Sequence, residues 1–86
     1  MTNIDNLITK YIRGADRVLK EIGQLPKEVH INEAETKTVF DWAKRYLADA
    51  KYYQEKGKME TSLTSIAYCE GLLDALRLLG AVEFSW

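Results

Sequence analysis

With 86 residues, 47% hydrophobic and 29% charged, the chain has the size and mixture of one helical domain, residues 1–86, with a single modest core. Twelve basic residues against thirteen acidic leave a net charge of −1, which gives no global attraction to nucleic acid or to an anionic membrane. No apolar run approaches the roughly 18 residues of a membrane span, the first residues are too often charged for a secretory leader, and the one cysteine, Cys69, has no internal partner; a soluble protein of the reducing cytoplasm is expected.

The first helix is predicted over about residues 3–22. Ile4, Leu7, Ile8, Tyr11, Ile12, Ala15, Val18, Leu19 and Ile22 recur at three-four spacing, which places them on one stripe. Thr2 or Asn3 is suited to accept a hydrogen bond from a free N–H at the start, and Gly23 suits the end. The opposite face carries Lys10, Arg13, Arg17 and Lys20, balanced in part by Asp5, Asp16 and Glu21. A solvated face is a simpler reading of this pattern than a phosphate-binding one.

The linker QLPKEVHIN follows, and Pro26 prevents the helix from continuing. Leu25, Val29 and Ile31 are expected to tuck against the end of the bundle. His30 has no second histidine or nearby cysteine to make a metal site and reads as a surface residue.

A second helix is predicted over about 33–56, opened by a capping box of Asn32 and Glu35. Val39, Ala43, Tyr46, Leu47, Ala50 and Tyr53 form its inward stripe, widened by Phe40 and Trp42. Ala43 and Ala50 allow a partner helix to come close. Lys37, Lys44 and Lys51 repeat on the outer face, a weak nucleic-acid signal set among five acids.

Gly57 closes the second helix, and the short break predicts an antiparallel hairpin with a third helix over about 60–79. Lys58 is a poor cap, so Thr61 or Ser62 is the expected one. Ile66, Cys69, Leu72, Leu73, Leu76 and Leu79 form the apolar centre of the third helix, and Thr64, Ala67, Gly71, Ala75 and Leu78 a second, smoother strip. Apolar groups on both sides predict neighbours on both sides. Glycine inside a helix costs roughly 1 kcal/mol relative to alanine, so Gly71 suggests a close approach. Cys69 reads as a buried inert thiol, since no histidine is placed to activate it. Gly80 ends the helix, and the alternation of Val82, Phe84 and Trp86 suggests a short extended tail that covers the open end or docks on a partner.

The polar groups most suggestive of chemistry are Glu70 and Asp74, one turn apart, with Asp49 on the second helix. Brought together, three carboxylates would bind a divalent cation or raise a pKa toward general-acid use. Arg77, Lys44, Arg45 and Lys51 offer the plainer alternative of ion pairs. Glu-x-x-His pairs, glycine-rich phosphate loops, G-x-S-x-G and zinc spacings are all missing. Four tyrosines, Tyr46, Tyr52, Tyr53 and Tyr68, are of a type that stacks on bases or flat ligands. At helical spacing they read as core or interface, with Tyr52 exposed.

The stretch AKRYLADAKYYQEKGKMETSLTSIAYCEGLLDALRLLG resembles a small archaeal family of helical proteins, domain of unknown function 357. The shared features are Ala43, Tyr46, Asp49, Ala50, Tyr53 and Gly57, then Ala67, Tyr68, Glu70, Gly71, Leu72, Leu73, Asp74, Ala75, Leu76, Leu79 and Gly80. Lys58 departs from the aspartate expected after the glycine. The resemblance implies an archaeal origin and an up-and-down bundle of three helices, and it implies no activity.

The residues together predict an all-α, three-helix antiparallel bundle ending in a helical hairpin. A non-catalytic module that associates with itself or with another protein is the favoured function, with no cofactor or metal. Ala67, Tyr68, Gly71, Ala75, Leu78, Phe84 and Trp86 are the candidate interface. A carboxylate enzyme using Asp49, Glu70 and Asp74, and an RNA-associated accessory domain, are the alternatives.

Overall fold

The computed structural model of the protein describes residues 3–86. The fold is all-α: α1 spans Ile4–Ile22, α2 Glu33–Glu55 and α3 Met59–Leu78. Each helix starts and stops for a local reason. Asn3 caps α1, its side chain accepting from the Asp5 N–H at 2.7 Å; the alternative cap, Thr2, lies outside the described residues. Asn32 and Glu35 form the full capping box on α2. No side chain caps α3. The Ser62 hydroxyl, expected as a cap, donates instead to the Ala50 carbonyl at 2.7 Å and ties the two helices of the hairpin together.

Two glycines turn the chain. Gly57 (φ +78°) and Gly80 (φ +74°) adopt the left-handed conformation that other residues avoid. After each, the next N–H reaches back to close the helix: Lys58 donates to the Tyr53 carbonyl and Ala81 to the Leu76 carbonyl, both at 2.9 Å. The turn after α2 leaves no slack, so α3 runs back along α2. The cross-contacts confirm the antiparallel sense: Ser62 meets Ala50, and farther from the turn Tyr68 stacks on Tyr46 at 4.4 Å.

The core is the seam of this hairpin. Ala43 and Ala50 from α2 are buried against Ser65, Cys69 and Leu76 from α3. The alanines face the partner helix and let it approach. Val39, Tyr46, Tyr53, Ile66, Leu72 and Leu73 flank the seam, half-buried.

The rest of the chain leaves this core uncovered. No Cα of α1 comes within 8 Å of a Cα of α2 or α3 among the described residues, and no residue of α1 is buried. Only one face of α3 is covered, against the expectation of neighbours on both sides. Leu25, Val29 and Ile31 are exposed rather than tucked in, because the bundle end they were to close is not assembled against them. The Cα radius of gyration is 15.6 Å, where about 12 Å is usual for a compact chain of this length.

Candidate functional site

The three candidate carboxylates do not assemble. Among the described residues no group of three His, Cys, Asp or Glu side chains is placed to hold a metal ion. Asp49 is half-buried and Glu70 exposed, and neither forms an ion pair among the described residues. Asp74 is engaged with the tail. It accepts from the Trp86 indole N–H at 2.8 Å and from Arg77 at 3.3 Å. The indole bond, followed by Arg77, holds its carboxyl below the ordinary range, outweighing the opposing effect of desolvation.

That bond gives the tail a fixed place. Residues 81–86 form no strand. They turn back on the end of α3, where Phe84 packs edge-on against Trp86 at 5.0 Å and lies under the Arg77 guanidinium at 5.7 Å. Two of the expected interface residues, Phe84 and Trp86, are therefore held by their own chain. Nothing in the local pattern signals this contact, which joins residues twelve positions apart.

Cys69 is buried, and burial together with the neighbouring Glu70 pushes its thiol above the ordinary value. A raised thiol pKa makes a poor nucleophile. The basic rows are partly neutralised. Lys37 and Lys44 both pair with Asp41, at 2.6 and 3.5 Å, and Arg17 pairs with Glu21 at 2.8 Å.

The remaining feature is apolar surface. On α3, Ala67, Gly71, Ala75 and Leu78 lie on the side away from α2, all exposed. Leu78 is 75% exposed, and a Cβ built on Gly71 would meet nothing within 4 Å. Tyr68 has its stacking partner Tyr46 yet remains half-exposed. The larger surface is on α1, where Ile4, Leu7, Ile8, Tyr11, Ile12, Val18, Leu19 and Ile22 are all exposed. Its first turns form one wall of a cleft, Ile4, Leu7, Ile8 and Tyr11 standing across from Glu60, Thr61 and Thr64 of α3. That opposing wall is polar.

No helix among the described residues is long and apolar enough to cross a membrane. No curated protein and no solved structure matches the chain. The family described as "Protein of unknown function (DUF357)" matches residues 10–82, a span that takes in most of α1, all of the hairpin and the start of the tail. The chain belongs to the DUF357 family.

Proposed function

We propose that the protein is a non-catalytic self-association module and that its working form is a homodimer. The observation that carries this reading is an excess of exposed surface. The single chain exposes 7703 Å², where a compact monomer of its 9.9 kDa exposes about 5,200 Å². The surplus, about 2,500 Å², exceeds the roughly 800 Å² per partner of a standard interface and reaches the range of obligate homodimers. α1 contributes to it, since its large apolar side chains are all exposed and none of its residues is buried. Most of a helix's stability in a protein comes from packing of its amphipathic face, and α1 buries no residue in its own chain. A second copy is a partner the chain itself supplies, and a net charge of −1 sets little repulsion against it. The free thiol of Cys69 supports a reducing cytoplasm, and the family resemblance an archaeal host. Sedimentation equilibrium at micromolar concentration tests the reading: a mass twice that of the chain is expected, and a monomer at all concentrations overturns it.

A further inference from the structure

Resting on that reading, we infer that the dimer forms through α1, with two copies of the helix packed antiparallel about a two-fold axis at the height of Arg13. The pattern of α1 is self-complementary. Ile4, Ile8, Tyr11, Ala15, Val18 and Ile22 are spaced alternately by four and three residues, the repeat of a two-helix seam. Read from either end about Arg13, the seam superposes on itself. Ile4 then meets Ile22 of the second copy, Ile8 meets Val18, and Tyr11 meets Ala15, a large side chain against a small one. A two-fold axis demands such a match, because the same surface must serve both sides.

Four further observations agree. Every large side chain of the seam is exposed in the single chain, Tyr11 by 68%, so the surface is free to receive a partner. Arg13 lies on the far side of the helix from the seam, so the axis does not bring two like charges together. Gly14 borders the seam beside the axis, and a Cβ placed on it would meet nothing within 4 Å. Glycine is unfavourable in a helix interior, and the single chain makes no use of the space it leaves; in the pair that space lies on the flank of the seam, close to the axis. The chain's own hairpin is a poorer occupant of the seam, since it offers Glu60, Thr61 and Thr64 opposite Ile4, Leu7 and Ile8.

Thiol cross-linking tests the arrangement. In a Cys69→Ser background, Ile4→Cys and Ile22→Cys chains are treated with a bis-maleimide of about 10 Å reach, singly and as an equal mixture. The mixture is expected to give covalent dimers and each variant alone to give none, because positions 4 and 22 lie about 27 Å apart along a helix. Dimers from Ile4→Cys alone indicate a parallel pair and overturn the arrangement. Dimeric mass in sedimentation without cross-linking in the mixture places the interface elsewhere, overturning this inference and leaving self-association intact. Monomeric mass overturns both. Ala15→Glu in the natural chain is expected to shift the mass to the monomer and Ala15→Ser to leave it dimeric. An Ala15→Glu chain that stays dimeric contradicts the seam.

Discussion

Asp74 and Trp86 form the one hydrogen bond between the side chains of the tail and α3 among the described residues. The carboxyl is held below its ordinary value of 3.8 by the indole N–H. A group whose pKa is depressed in the fold contributes while ionised and loses that contribution as pH falls through the depressed value. The contribution of this bond to holding the tail is therefore present at neutral pH and lost in strong acid. In a Trp42→Phe background Trp86 is the sole indole, and its N–H proton resonance is expected to move toward that of an unbonded indole as pH falls below about 4. Asp74→Ala is expected to give the acid-form spectrum already at neutral pH. At the seam of the hairpin the sensitive residue is Ala43, 1% exposed. Ala43→Leu forces methyl groups between two helices already in contact and is expected to lower stability by about 1–3 kcal/mol in urea denaturation. The seam alanines were legible in the sequence, because small residues at the centre of an apolar stripe have one plain use. The bond from Trp86 to Asp74 was not, because it depends on where a turn sends a tail. The buried Ser65 was also missed, as a hydroxyl gives no apolar signal in a periodic pattern.

At the scale of elements, the ends of α2 show the strongest local coding. Asn32 and Glu35 satisfy each other's backbone N–H groups, and Asn32→Ala is expected to cost about 1 kcal/mol of hairpin stability by the same denaturation measurement. Capping needs only residues three apart, so it could be read from the sequence, as could the glycine that closes the turn. The surroundings of α3 could not. Its pattern places apolar groups on both sides, but periodicity reports which faces are apolar and not what arrives to cover them. One face met α2; the other, with Gly71 and Leu78, met nothing. The candidate carboxylates failed as a group for a related reason. Glu70 and Asp74 are neighbours on one helix, but Asp49 would have had to come from the other at the correct height, and hairpin register is not a property of either strip alone. The apolar stripe of α1 was plain in the sequence, and the structure adds that its own chain leaves it uncovered.

Taken as a whole molecule, the chain divides into a packed hairpin and an amphipathic helix that is not packed against it at close range. The hairpin has its own small core, including Cys69 and Leu76. α1 has none, and on the proposed reading a second copy holds it in order. Its stability should then follow mass action, rising with protein concentration, while that of the hairpin should not. Amide hydrogen exchange across a dilution series reads this helix by helix. Protection of the amides in residues 8–22 is expected to fall on dilution through the dissociation range, while protection within Glu33–Leu78 stays constant. Protection of α1 that is independent of concentration would contradict the account, because the helix would then be held by its own chain.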